Sequence, residues 1–128
     1  MYHAIRDDAR EAALSTAGAT LIHLPDAHGK VDLPRMLKDL GQREVNELHV
    51  ESGHKLNGSM LREGLTDELL LYLAPQLLGT GAGLANLAPL ERLDDGLQLR
   101  FESVVPVGDD LRVLARLKGR DDFLRAHP

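Results

Sequence analysis

The chain has 128 residues, no cysteine, and 15 Lys plus Arg against 20 Asp plus Glu, a formal net charge of −5. That length suits one domain that buries roughly two-thirds of its unfolded surface, and the absence of cysteine excludes disulfide scaffolds, cysteine–zinc sites, thiol catalysis and iron–sulfur clusters. An acidic chain with two Tyr and two Phe is not built to bind nucleic acid by phosphate neutralisation or base stacking.

The first residues, MYHAIRDDAR, are charged and have no apolar stretch, so they do not read as a signal peptide. No later apolar run approaches the ~20 residues of a membrane span. Neither a membrane nor a nucleic acid is therefore expected as partner, and the lack of cysteine fits the cytoplasm. Asp7 or Asp8 can cap a first helix reaching about Ala17, with Gly18 as its stop. Thr20–Leu24 reads as a short strand closed by Pro25. Asp32 caps a second helix with Pro34 in its first turn. Leu33, Met36, Leu37 and Leu40 recur on one face of it, and Gly41 is its expected end. Asn46–Val50 reads as a strand, and a third helix follows over about Lys55–Glu63. Asp67–Ala74 is a longer strand with a nearly continuous apolar run, which suggests a central position buried on both faces. A Gly-rich loop (Leu78–Leu84) follows it, then a possible helical turn within Leu87–Leu93. Two alternating segments, Leu97–Val107 and Leu111–Leu117, face each other across a turn at Gly108-Asp109-Asp110. The order of elements predicts an α/β fold, a mostly parallel sheet ending in an antiparallel hairpin. Residues 120–128 form a charged tail after a domain spanning 1–119.

The most informative stretch is Glu51-Ser52-Gly53-His54-Lys55-Leu56-Asn57-Gly58-Ser59, at a strand-to-helix junction. Ligands of open α/β sheets bind at the carboxyl ends of strands. A small residue and a glycine there let backbone approach a phosphate, and the N–H groups of the next helix face the anion with the helix dipole behind them. Lys55 opposes that dipole unless an anion sits nearby. Glu51, at the strand end, is placed to hold an amino or hydroxyl group of a substrate. Pattern alone favours a plain turn that uses Gly53 for its conformational freedom, with Glu51 solvated. Asp67-Glu68 reads first as a structural pair, although paired carboxylates can also do acid–base chemistry. In Gly79-Thr80-Gly81-Ala82-Gly83 the third glycine of a dinucleotide fingerprint is missing, because Leu84 stands in its place. The six histidines show no metal-ligand spacing, so no metal is expected. No residue is assigned as catalytic.

Five short motifs occur in fixed order: Val31-Asp32-Leu33, Glu51-Ser52-Gly53, Leu56-Asn57, Leu65-Thr66-Asp67-Glu68 and Pro75-Gln76-Leu77-Leu78-Gly79. Through them the chain, from roughly Arg10 to Gly119, resembles the C-terminal reductase domain of bacterial bifunctional riboflavin biosynthesis proteins (RibD), a fold related to dihydrofolate reductase. The resemblance implies a dihydrofolate-reductase-like sheet with helices on both faces and its N-terminal strands missing. It implies NADPH-dependent reduction of 5-amino-6-(5-phosphoribosylamino)uracil to the ribitylamino product, with hydride delivered to C1′ of the sugar. Glu51 then takes the substrate contact. Gly53, His54, Lys55, Leu56, Asn57, Gly58 and Ser59 take the NADPH phosphates. Ser52 stands where the family more often has glycine, which puts cofactor affinity in question. The family's earlier strand, with its substrate and nicotinamide contacts, has no counterpart in this sequence. The expectation is therefore a C-terminal fragment carrying part of the site and inactive alone, whose exposed strand edges favour a homodimer. Two rivals are a non-catalytic, dimer-forming α/β module that kept the fold, and a dihydrofolate reductase relative. The latter would need a folate-binding acid on an early helix, and none is found.

Overall fold

The computed structural model describes residues 1–120. The charged tail expected from residue 120 onward therefore lies, beyond Arg120, outside the described residues. The chain divides into two compact units, Met1–Glu51 and Ser52–Pro128.

The first unit contains strand β1 (Tyr2–His3), helix α1 (Asp8–Thr16), strand β2 (Ile22–His23) and helix α2 (Leu33–Gln42). β1 and β2 pair in parallel, Tyr2 opposite Ile22 and His3 opposite His23. Both helices start where the sequence predicts, for one physical reason. The first N–H groups of a helix have no partner within it, and an Asp side chain supplies one. Asp7 Oδ1 accepts from the Arg10 amide at 3.0 Å, and Asp32 Oδ1 accepts from the Arg35 amide at 2.9 Å. Between β2 and α2, Asp26 Oδ1 accepts from the amides of His28 at 2.8 Å and Lys30 at 2.7 Å. These bonds, led by the one from Lys30, hold the Asp26 carboxyl below its ordinary value. β1 is tied to α2 by a side-chain triad. The Tyr2 hydroxyl donates to Asp39 Oδ2 at 2.6 Å, and Arg43 Nε donates to the same oxygen at 2.7 Å. Bonds from Arg43 and then Tyr2 lower the Asp39 pKa, while the bond to Asp39 raises those of Tyr2 and Arg43.

α2 does not stop at Gly41. It runs to Gln42, and the left-handed residue beyond it is Glu44, with φ 65°. A Cβ is disfavoured in that region, yet Glu44 holds it while the Val45 amide closes on the Leu40 carbonyl at 3.1 Å. Asn46–Val50 forms no strand. Its two apolar residues, Leu48 and Val50, are 43% and 37% exposed. A run this short needs a hydrogen-bonded ladder to become a strand, and none of the described strands provides one.

The second unit contains helix α3 (His54–Arg62), strand β3 (Glu68–Leu73), a single 3₁₀ turn (Leu93–Asp95), and strands β4 (Leu99–Val107) and β5 (Asp110–Leu117). The strands form an antiparallel sheet in the order β3-β5-β4. The α/β class and the terminal hairpin are as expected. Parallel pairing is confined, among the described residues, to β1 and β2. The hairpin closes on a two-residue loop, since Val107 pairs with Asp110. Gly108 opens that loop with φ 62°, as a type II′ turn requires. One expectation is corrected: β3 is not the central strand. β5 is central, and its Val113, Ala115 and Leu117 are buried, whereas Leu70, Tyr72 and Leu73 of β3 are 44 to 58% exposed. A continuous apolar run reports apolar character on both faces of a strand. It carries no information about which of its edges are paired. α3 contributes Gly58, Met60 and Leu61 to the buried set.

Candidate functional site

Glu51 closes the first unit. Its side chain is 88% exposed, and the contact made by its carboxylate is with His49, Nε2 to Oε1 at 3.4 Å. An exposed carboxylate with one weak neighbour can accept hydrogen bonds from a polar ligand.

The start of α3 opens the second unit. Gly53 is the N-cap residue, with φ −77° and ψ 165°, and no side chain caps the helix. Gly53 is exposed, and a Cβ added there would meet nothing within 4 Å. The amides of Leu56 and Asn57 bond back to the Gly53 carbonyl at 3.1 and 3.2 Å. No described residue offers an acceptor to the amides of His54 and Lys55. Lys55 is exposed in the same turn. Two outward amides, the positive end of a helix dipole and a primary ammonium are the donor set a phosphate needs.

The remaining residues of the predicted set do different work. The Ser52 hydroxyl donates to Asn57 Oδ1 at 2.6 Å. Asn57 Nδ2 donates to the Leu84 carbonyl at 3.0 Å and to the Ser52 carbonyl at 3.4 Å. Ser59 Oγ donates to the Lys55 carbonyl at 3.3 Å and accepts from Arg62 Nη2 at 3.0 Å. Gly58 is buried, and a Cβ on it would lie 2.8 Å from the Asn86 amide nitrogen, with the Asn86 carbonyl oxygen nearer still. That segment is held from both ends. The Asn86 amide donates to the His54 carbonyl at 2.8 Å, and Arg62 donates to the Asn86 carbonyl. Leu56 is 40% exposed. Gly53 and Lys55 are thus exposed and His54 is half-buried, while Asn57, Gly58 and Ser59 hold the helix and the 84–86 segment together. Leu84, Asn86 and Arg62 are additions to the site's framework. They were not legible in the sequence, because the contacts join residues 24 to 27 positions apart with no motif between them.

Glu68 is structural. It pairs with Arg116 across β3 and β5, Nε to Oε2 at 3.0 Å, at positions the strand register sets opposite each other. A cleft of about 520 Å³ in the first unit, lined by His3, Ile5, Arg10, Glu11, Leu21 and Lys30 among others, contains none of the predicted site residues. Among the described residues no helix is long and apolar enough to cross a membrane.

Residues 2–113 match the family described as RibD C-terminal domain. Over 89 residues the chain is 42% identical to the riboflavin biosynthesis protein RibD of Escherichia coli, a match covering 69% of this chain and 24% of that protein. It is 34% identical over 90 residues to the 5-amino-6-(5-phosphoribosylamino)uracil reductase of Buchnera aphidicola, covering 70% of this chain and 44% of that one. The solved structure of Acinetobacter baumannii RibD superposes with a TM-score of 0.74 at 27% identity, over 84% of this chain and 29% of that chain. The matches thus span about a quarter to under half of the curated relatives' length.

Proposed function

This chain belongs to the RibD C-terminal domain family, and from that premise we propose that it serves riboflavin biosynthesis as part of an NADPH-dependent reductase of 5-amino-6-(5-phosphoribosylamino)uracil. Bound NADPH would supply the hydride that converts the ribosyl group to ribityl. The chain's own residues bind and orient. The amides of His54 and Lys55, the Lys55 ammonium and the open backbone at Gly53 receive the cofactor's phosphates. Leu56, Asn57, Gly58 and Ser59 hold that helix turn in place. Glu51 accepts hydrogen bonds from the polar groups of the pyrimidine substrate. The observation that carries this reading is the start of α3. It follows the Glu51-Ser52-Gly53 motif directly and has no side-chain cap.

The protein acts in the cytoplasm and pairs with a second copy. The outer edges of β3 and β4 have no partner strand among the described residues, and Tyr72 and Phe101 are 58% and 69% exposed. Open strand edges and exposed aromatic side chains favour association. Light scattering that finds only monomer would remove that part of the reading.

Fluorescence titration with NADPH tests the site. Saturable binding is expected, and its absence at millimolar cofactor would count against the assignment. Glu51→Gln is expected to weaken binding of the pyrimidine substrate about tenfold, the worth of one charge-assisted hydrogen bond, with NADPH affinity unchanged. An equal loss for both ligands would remove Glu51 from the substrate side.

A further inference from the structure

In the structure the Ser52 hydroxyl has a definite use. It donates to Asn57 Oδ1 at 2.6 Å, which orients the Asn57 amide so that Nδ2 donates to the Leu84 carbonyl at 3.0 Å. Leu84 ends the loop that begins at Gly79. That loop has a left-handed Gly79, φ 49°, and further glycines at 81 and 83. A segment with three glycines in five residues has many accessible conformations and little side-chain packing to select one. Two residues further on, the Asn86 amide bonds to the His54 carbonyl at 2.8 Å, and Gly58 admits the Asn86 backbone against the helix. The loop's exit is therefore tied to the same helix turn that presents the amides of His54 and Lys55.

We propose that the Ser52–Asn57–Leu84 chain of hydrogen bonds is a clip that fixes the Gly79–Gly83 loop beside the start of α3 and makes it one wall of the cofactor site, with Ser52 and Asn57 as positioning residues. The proposal rests on the assignment of the α3 start to the NADPH phosphates. A serine in place of glycine narrows the space at the turn. Here it also orders a mobile type of segment next to the ligand, so that less conformational freedom is lost when the cofactor binds.

The test uses the whole 128-residue chain and four variants: Ser52→Ala, Ser52→Thr, Asn57→Ala and the Ser52→Ala/Asn57→Ala double variant. Amide hydrogen exchange over residues 84–87 is measured without cofactor, and NADPH affinity is measured by fluorescence titration. Ser52→Ala and Asn57→Ala are expected to speed exchange in that segment about tenfold and to weaken NADPH several-fold. Ser52→Thr, which keeps the hydroxyl, is expected to restore both. The double variant is expected to lose no more than the worse single variant, because both residues act through one chain of bonds. Unchanged exchange in Ser52→Ala and Asn57→Ala would overturn the clip. Faster exchange with unchanged NADPH affinity, or additive losses in the double variant, would overturn its role at the cofactor site. Failure of the unmodified protein to bind NADPH would overturn the assignment of the site and with it that role, while the exchange rates would still decide whether the clip exists.

Discussion

The three α-helices among the described residues begin in two ways. α1 and α2 are closed by aspartates, Asp7 and Asp32, whose carboxylates take the amide of the third helical residue. α3 begins at a glycine, has no side-chain cap and carries Lys55 in its first turn. A capped helix spends its unpaired donors on its own stability. An uncapped one leaves them open to another acceptor, and the proposed function assigns that place to the cofactor's phosphates. The two capped helices lie in the unit that ends at Glu51. The uncapped one opens the second unit.

The largest effect that would break this contrast is at Gly58. Gly58→Ala drives a Cβ into the backbone of Asn86. It should destabilise the second unit by about 2 kcal/mol, as overpacking against backbone does, and weaken NADPH binding with it. A thermal unfolding midpoint within a degree of the parent would show that the 84–86 segment is free to move aside. Next come the caps themselves. Gly53→Asp gives α3 the cap it lacks, in open space and at a backbone conformation any residue adopts. Folding stability should rise by a few tenths of a kcal/mol, while NADPH affinity falls at least tenfold, because a carboxylate would stand where the cofactor's phosphate is proposed to bind. Asp32→Ala does the opposite in the first unit, costing about 1 kcal/mol of stability with no change in NADPH affinity. If Gly53→Asp leaves NADPH affinity intact, the open helix start is not where the phosphates bind.

The smallest expected effect is on pH dependence, and it belongs to the first unit. Asp26 and Asp39 have pKa values below the ordinary 3.8. A carboxyl depressed on folding adds stability that is full above its unfolded value and is lost as pH falls through the folded one. Tyr2 and Arg43 are both raised above their ordinary values. Their contribution is full below those values and lost only as pH rises past them. Melting temperatures followed by circular dichroism should therefore hold from about pH 4 to pH 10 as far as these groups decide, and fall below pH 3.8. Asp39→Asn should flatten the acid limb, and an unaltered limb would take Asp39 out of it.

Local rules carried much of the reading. An Asp side chain followed by an apolar repeat of 3.6 residues places a helix start wherever it occurs, so α1 and α2 begin where the sequence puts them. The hairpin of β4 and β5 follows from alternation around a glycine turn. The α2 terminus was misplaced because Gly41 looked like the stop, whereas the chain turns at Glu44 and leaves the glycine inside the helix. The expected strand at Asn46–Val50 and the central position of β3 failed for a common reason. Strand identity depends on ladders with distant residues, and hydropathy alone does not encode a partner. In the candidate site, the sequence pointed to one helix turn but could not divide its residues into exposed ones and ones bonded to the 84–86 segment.

The sequence by itself determined the α/β class, the helix starts and the family, because each of these rests on residue types within a few positions of one another. Only the tertiary structure decided that β5 is the central strand, that Gly58 is required by the Asn86 backbone, and that Ser52 and Asn57 bond to each other and to Leu84. Each of those depends on backbone groups from distant parts of the chain arriving within hydrogen-bonding distance, and no local pattern specifies that.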